Sequence, residues 1–399
     1  MLSAESTPVV RATLPAVGAA IDEIAARFYQ RLFAAHPELL RDLFNRGNQA
    51  NGEQRRALAG SIAAFAGMLL DRPDERPDAL LSRIAHKHAS LGVTSAQYKV
   101  VHTHLLAAVA EVLGDAVTPE VAAAWDEVYW LMANALIAVE AELYQRAGAP
   151  EGDVWRRMRV VGRTQETADT ASFVVRPEDG SAAGGFRPGQ YVSVQVELPD
   201  GAHQIRQYSL SAAPGRADWR ITVKRVLGGD APEGEVSSWL HGHVRTGDVL
   251  RVSAPFGDLV LPDGDGPLLL VSAGVGCTPM LSMLDHLAAT GSARPVTVVH
   301  ADRSPAAHAH LAELRERVAG LPGAALLRWY EEPGDEAGPD VRAGLVDVDA
   351  LELPEGVTAY LCGPLPFLRA VRGGLLRRGV PAADVHYEVF GPDLWLGRD

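Results

Sequence analysis

A chain of 399 residues is too long for one ordinary hydrophobic core, so two or three domains are expected. Its 47% hydrophobic and 22% charged residues describe a globular protein, and a formal net charge of -13 argues against general binding to nucleic acid or anionic membrane, since the summed field would repel both. No apolar run reaches membrane-spanning length and no basic-then-apolar leader opens the chain, while two cysteines, Cys277 and Cys362, give no disulfide framework and suit a reducing cytoplasm.

Up to about Arg146 the pattern is helical, with long Ala- and Leu-rich amphipathic segments, and predicts an all-α domain. Thr7-Pro8 and Thr118-Pro119 each read as an N-cap followed by proline at the first helical position. Thr94 with Gln97 has capping-box spacing, which predicts a helix from there to about Leu113, before Gly114. Between Asp78 and Ser90, the helix period puts Leu81, Ile84, Ala85 and His88 on one face and His86 on nearly the opposite side. Tyr98 shares its stripe with Val101, Leu105 and Val109, and Glu140 follows Tyr129, Met132 and Leu136 inward while Glu142 faces solvent. Taken singly, His88 reads as a satisfied core histidine. A histidine, a tyrosine and a carboxylate pointing inward from three helices are costly unless they bond one another or a ligand, so the trio suggests a metal or haem ligand with its supporting groups.

The first helices carry Tyr29 after Phe28, beside an apolar face of Ile21, Ile24, Ala25 and Leu32, before Pro37 breaks the run ahead of Leu43-Phe44-Asn45. Gln54 and Leu58 lie four apart and can look into one space. Each of these is also compatible with ordinary packing or surface. Together with His36-Pro37-Glu38-Leu39, Asn51-Gly52-Glu53-Gln54-Arg55 and Glu140-Ala141-Glu142-Leu143-Tyr144, the set Tyr29, Phe44, Gln54, Leu58, His88, Tyr98 and Glu140 resembles the globin domain of a flavohaemoglobin. The resemblance runs over essentially the whole chain. His86 departs from the pattern by offering a second imidazole two residues from the expected ligand.

A Gly-, Pro- and charge-rich stretch from Arg146 to Asp153 reads as a linker. Beyond it, short alternating runs at Ser172–Val175, Tyr191–Val196, Arg220–Lys224 and Asp248–Val252 predict antiparallel strands closing into a small barrel. Arg206-Gln207-Tyr208-Ser209 supplies a cation, a flat ring and a hydroxyl, which suits a flavin as well as a plain strand edge. Gly234 to Leu240 leads from a loop into a short helix, so that backbone amides at Val236, Ser237 and Ser238 would receive a pyrophosphate with Arg206 as countercharge; serines there also read as plain N-caps. With Arg187-Pro188-Gly189-Gln190-Tyr191, these elements resemble the FAD domain of the ferredoxin reductase family. The resemblance implies that Tyr208 packs on the isoalloxazine and that Ser209 hydrogen-bonds its reactive nitrogen.

Past Pro262, apolar runs at Leu268–Val271, Val296–Val299 and Ala359–Leu361 alternate with helical stretches and predict a parallel α/β sheet. The first run leads directly through Gly274-Val275-Gly276-Cys277-Thr278-Pro279 into a helix, where two glycines would let a dinucleotide's phosphates approach the backbone. Cys362-Gly363-Pro364 resembles the reductase family's nicotinamide-side loop, and Tyr387-Glu388-Val389-Phe390-Gly391-Pro392 the segment whose aromatic covers the flavin. Cys277 and Val389 stand where the flavohaemoglobin pattern has glutamine and cysteine, which puts nicotinamide affinity and hydride rate in question. Cys277 and Cys362 could approach one another, yet free thiols are expected. Asp302 would accept from a ribose hydroxyl and favour NADH, slightly outweighing Arg303 and Ser304, which would meet a 2′-phosphate; the run also reads as a charged turn.

The expected architecture is therefore multidomain: an all-α globin haem domain (1–147), an antiparallel β-barrel FAD domain (153–262) and an α/β parallel-sheet NAD(P)H-binding domain (263–399). The resemblance implies a monomeric nitric oxide dioxygenase that oxidises nitric oxide with dioxygen to nitrate, passing electrons from NAD(P)H through FAD to haem b. It implies His88 as the axial iron ligand, Glu140 and Tyr98 behind it, Tyr29 and Gln54 as donors to the oxygen substrate, and Leu58 and Phe44 as pocket walls. A haem oxygen sensor or binder with an auxiliary reductase, and an NAD(P)H-dependent flavin or peroxide reductase, are the alternatives.

Overall fold

The computed structural model describes residues 1–391 except 51, 76, 230 and 231, and not the side chains of 78 and 79. Asn51 and Pro392, at the edges of two phrases quoted above, and the tail 393–399 of the expected third domain lie outside the described residues. The chain forms two compact units, the first comprising Met1–Trp155, Gln195–Arg206 and Gly391, the second Arg156–Val194 and Gln207–Phe390.

The first unit is mainly helical: α1 (Ser6–Ala35), α2 (Pro37–Asp42), α3 (Arg46–Ala50), α4 (Glu53–Asp71), α5 (Asp78–Leu91), α6 (Ser95–Leu113) and α7 (Pro119–Ala147). Phe28, Leu32, Phe65 and Leu81 are among its fully buried side chains. The capping box forms, Thr94 N donating to Gln97 Oε1 at 2.8 Å, and Thr118 Oγ1 accepts from Val121 N at 3.3 Å ahead of Pro119. The expected Thr7 cap is corrected. Helix α1 begins two residues earlier, at Ser6, where Ser3 Oγ already accepts from Ser6 N at 3.1 Å, so Thr7 lies inside the first turn and donates to Ser3 O at 2.8 Å. Among the described residues no helix is long and apolar enough to cross a membrane.

The antiparallel sheet contains β1 (Trp155–Gln165), β2 (Thr170–Pro177), β3 (Tyr191–Glu197), β4 (His203–Ser209), β5 (Trp219–Lys224) and β6 (Val249–Ser253), in the order β4-β3-β6-β1-β2-β5, with α8 (Glu235–His243) between β5 and β6. An antiparallel bridge between Leu210 and Ile221 joins the chain just past β4 to β5, so the two edges of the sheet meet. Arg206 to Ser209 is thus the end of a strand in its own right, β4, and not a continuation of β3.

The parallel sheet has the order β10-β9-β8-β7-β11-β12, built from β7 (Leu268–Ala273), β8 (Val296–Asp302), β9 (Ala324–Tyr330), β10 (Val341–Ala343), β11 (Thr358–Cys362) and β12 (Val385–Glu388). Helices α9 (Cys277–Ala289), α10 (Leu311–Ala319) and α11 (Leu365–Arg377) connect it. Its core gathers Leu268, Leu270, Met280, Leu284, Val298 and Tyr360. Within the second unit, polar contacts fasten the barrel to this sheet: Arg220 reaches Glu313 with two bonds of 2.9 Å, Ala213 N donates to Asp285 Oδ2 at 2.8 Å, and Ser282 Oγ to Ala212 O at 2.9 Å.

Candidate functional site

Helix periodicity brings His88, Tyr98 and Glu140 to one point. His88 Nδ1 lies 2.9 Å from Glu140 Oε1 and 3.0 Å from Tyr98 OH, and Tyr98 OH donates to the same Glu140 oxygen at 2.6 Å. With Tyr98 donating to the carboxylate, Nδ1 is the protonated nitrogen and Nε2 keeps the lone pair. Burial, reinforced by the neighbouring Glu140 charge, pushes the Tyr98 phenol far above its ordinary range, so it remains a donor. Tyr144 OH donates to Val93 O at 2.6 Å, and Gly92 closes α5 with a positive φ of 76°. A Cβ at Gly92 would meet Gly152 O at 2.7 Å, so glycine is required at this turn behind the histidine.

Tyr29 is 5% exposed, its ring 5.8 Å from Phe44 and 5.6 Å from Phe33. Burial pushes its phenol up, against the facing amides of Gln54 and Gln49. Gln54 and Leu58 stand half-buried on α4. A cavity of about 410 Å³ opens beside Tyr29, bounded by Phe33, Leu40, Gln49 and Arg55. Among the described residues, no three His, Cys, Asp or Glu side chains converge as a metal cage. A lone imidazole with its inner nitrogen fixed fits a haem iron, which asks one axial ligand of the protein.

In the barrel, Ser209 is 3% exposed and its buried hydroxyl has no hydrogen-bond partner among the described residues. Such a group suits a ligand that supplies the missing partner, which fits a flavin at this strand end. Gln207 Nε2 donates to Ser193 Oγ at 3.0 Å, and half-buried Tyr208 precedes Ser209. Tyr191 is 8% exposed, and its ring lies against Gly257, where a Cβ would meet it at 3.0 Å. Gly189, at φ 101°, is forced by its approach to Leu259, whose carbonyl oxygen a Cβ would meet at 2.0 Å. Arg206 Nη1 donates to Ile205 O at 2.7 Å.

At the start of α8 the serine hydroxyls are engaged. Ser237 Oγ bonds Val226 N and Gly234 O, both at 3.1 Å, and Ser238 Oγ donates to Glu233 Oε1 at 2.7 Å. Gly234 is the cap and offers no side chain, and Val236 is buried in the packing, so the backbone amides of the first turn, not the hydroxyls, are what this helix offers an anion. Arg225, 2.7 Å from Glu233, is a cation at this turn that the sequence reading missed.

In the parallel sheet, the two glycines after β7 differ, and a 3-10 turn over Gly274–Gly276 leads directly into α9 at Cys277. Gly274 has φ 54° and open space where a Cβ would stand, which leaves a dinucleotide room to approach. At Gly276 a Cβ would lie 2.3 Å from Cys362 O. Glycine there allows one loop to pack closely against the other. Thr278 Oγ1 donates to Val275 O at 3.0 Å, and Pro279 is buried in the first turn of α9. Gly363 is packed under Phe367 and Pro364 caps α11.

Cys362 pairs in register with Ser272 and with Glu388. Both cysteines are buried and free; burial, with the Asp302 charge, pushes the Cys277 thiol up to about 12, and burial raises Cys362 as well. Glu388 is buried, Val389 and Gly391 are half-buried, and Phe390 is 47% exposed, a large aromatic left open where a flavin cover was expected. Asp302 is turned inward: its Oδ1 accepts from Arg303 N at 2.8 Å, and its Oδ2 is 3.6 Å from His300 Nε2. His300 bonds Ser272 Oγ at 2.9 Å and stacks on His308 at 3.7 Å. This histidine pair was also missed, since nothing in a strand's alternation tells a buried imidazole from an apolar side chain.

Three family matches follow the same order: globin over residues 26–136, oxidoreductase FAD-binding domain over 157–260 and oxidoreductase NAD-binding domain over 270–373. A flavohemoprotein of Rhizobium meliloti is 43% identical, covering 99% of this chain and 100% of its own; one of Bordetella parapertussis is 44% identical, covering 98% and 99%. The crystal structure of a Malassezia yamatoensis flavohemoglobin with bound FAD and heme superimposes with a TM-score of 0.89 at 38% identity, covering 98% of this chain and 100% of that one. The FAD/NAD-binding domain of a nitric oxide dioxygenase from Vibrio cholerae matches 59% of this chain and 99% of its own, with a TM-score of 0.56 and 39% identity. Likeness of this degree along the full length, with all three domain matches in order, makes the chain a member of the flavohemoprotein family, an oxidoreductase whose cofactors are haem, FAD and NAD.

Proposed function

We propose that this flavohemoprotein is a nitric oxide dioxygenase, oxidising nitric oxide with dioxygen to nitrate with electrons from NAD(P)H. The reading assigns haem to residues 1–147, FAD to 153–262 and the nicotinamide to 263–399, in a monomer of the cytoplasm, where two buried free thiols are at home. The observation that carries it is the set His88, Glu140 and Tyr98, closed by bonds of 2.9, 3.0 and 2.6 Å around a carboxylate that is 2% exposed. When bound, haem supplies the iron at which the two gases react, and FAD divides the nicotinamide's electron pair into single electrons.

His88, with Nδ1 engaged by Glu140, would hold the haem iron through Nε2. Glu140, itself buried, accepts from Nδ1, which orients the ring and increases its electron donation, and Tyr98 fixes the carboxylate. On the distal side Tyr29, kept protonated by burial, and Gln54 donate to the oxygen substrate, while Phe44 and Leu58 narrow the space around it. Tyr191, Arg206, Gln207, Tyr208 and Ser209 seat the flavin, and the amides at Val236, Ser237 and Ser238 receive its pyrophosphate. Gly274 to Pro279 and Cys362 to Pro364 hold the nicotinamide, and the segment Glu388 to Gly391 covers the flavin. The name carried by the Vibrio cholerae protein supports the same activity.

The test adds oxygen and nitric oxide to protein reduced anaerobically with NADH and compares nitrate formed with NADH consumed. Nitrate should rise in step with NADH loss, and Glu140→Gln should lower haem reduction and nitric oxide turnover about 10- to 100-fold. Oxygen consumption that yields peroxide without nitrate would overturn the reading.

A further inference from the structure

Gln204 lies on β4 two residues before Arg206 and is 0% exposed. Its Nε2 donates to the carbonyls of Arg41 at 3.0 Å, Phe44 at 3.2 Å and Leu40 at 3.4 Å; its Oε1 accepts from Arg46 N at 3.3 Å and Arg206 Nη1 at 3.4 Å. Leu40 and Arg41 belong to the last turn of α2, where helix carbonyls run out of intrahelical donors. One buried carboxamide therefore satisfies the end of α2 and the turn that follows it. Neighbouring residues reinforce the docking: His203 N and Nδ1 each lie 3.1 Å from Asp42 Oδ1, and Arg46 Nη1 is 2.5 Å from Asp200 Oδ2. Phe44 rides on this turn with its ring edge-on to Tyr29 at 5.8 Å, so a shift of the turn reaches the Tyr29 phenol through direct ring contact.

We infer that Gln204 is a positioning residue for the distal wall of the haem pocket, fixing Phe44 and through it Tyr29, and that its shared bond with Arg206 couples flavin loading to gas access. The inference rests on the proposed roles of Phe44, Tyr29 and Arg206. When Arg206 is drawn onto an anionic phosphate, Gln204 Oε1 loses one of its two donors and the carboxamide is free to settle on α2 and its turn. Coupling of this kind is reciprocal, so occupancy on either side alters affinity on the other.

Carbon monoxide association with the dithionite-reduced, haem-loaded full chain, measured by flash photolysis with and without FAD, tests it. No nitric oxide is involved, so this result and the nitrate assay can fail independently. The wild type should show different association rates in the two flavin states. Gln204→Met, of similar length but without the bonds, should change the rate at least about fivefold and abolish the flavin dependence. Thr118→Ala, which weakens α7 at its far cap, should leave the rate within roughly twofold. Equal wild-type rates with and without FAD, a Gln204→Met rate within roughly twofold of wild type, persistent flavin dependence in that variant, or an equal shift in Thr118→Ala would each overturn the inference. If Gln204→Met does not accumulate folded, the wild-type comparison alone decides.

Discussion

Ser209 holds a buried hydroxyl that no described residue satisfies, and an orphan of this kind costs about 1–3 kcal/mol. A ligand that bonds it recovers that loss, so the residue weakens the empty protein in order to serve the loaded one. Ser209→Ala should leave the FAD-free protein at least as stable as wild type, yet slow flavin reduction by NADH about tenfold in stopped-flow absorbance, with carbon monoxide binding to pre-reduced haem unchanged. Equal losses in flavin reduction and carbon monoxide binding would assign the residue to folding instead. At this scale the sequence was most informative where periodicity applies. His88, Tyr98 and Glu140 stand out because each interrupts an apolar helical stripe. Gln204 and Gln49 do not, because a glutamine on a strand or in a short helix looks like surface until the turn it serves is known. His300 hides likewise among the apolar residues of β8.

Helix ends and tight turns were legible where local chemistry decides them and misread where a distant atom does. The Thr94 and Gln97 box closes within four residues, whereas the start of α1 depends on Ser3, itself held by Glu127 at 2.7 and 2.8 Å. At Gly276 nothing in the sequence reveals that Cys362 crosses the turn and leaves no space for a Cβ. His310 is a further case: it takes a left-handed φ of 60° ahead of α10, a conformation that costs a non-glycine residue roughly 1 kcal/mol or more. Its Nε2 meets Thr222 Oγ1 at 2.9 Å, and its Nδ1 lies 3.3 Å from Glu313 and 3.4 Å from Glu166. Against the effect of burial, bonds to His310 and Arg220 hold the Glu313 carboxyl down at about 2. A carboxyl depressed from 4.5 to about 2 stabilises the fold fully above pH 4.5 and loses that contribution as pH falls toward 2. Glu313→Gln should therefore lower the reductase unfolding midpoint at pH 7, followed by flavin fluorescence, and the gap should narrow steadily below pH 4.5; a gap independent of pH would remove the ion pair from the account.

For the whole molecule, the order of layers was readable because three textures succeed one another: helical stripes, short alternating strands, and apolar runs feeding helices. The sequence did not show that residues 195–206 of the antiparallel sheet are packed with the helices in one compact unit. That follows from contacts made by Asp200, His203 and Gln204, whose partners lie some 160 positions earlier. The two cysteines bring a prediction of their own. A thiol reagent should find neither in the native protein and both after denaturation; rapid native labelling would contradict the packing of β11 against the turn before α9. Reaction at sulfur proceeds through the thiolate, and Cys277 and Cys362 are held as neutral thiols out of reach of solvent. The nucleotide-binding domain thereby keeps both thiols neutral and shielded, the form of sulfur least open to nitrosation and peroxide.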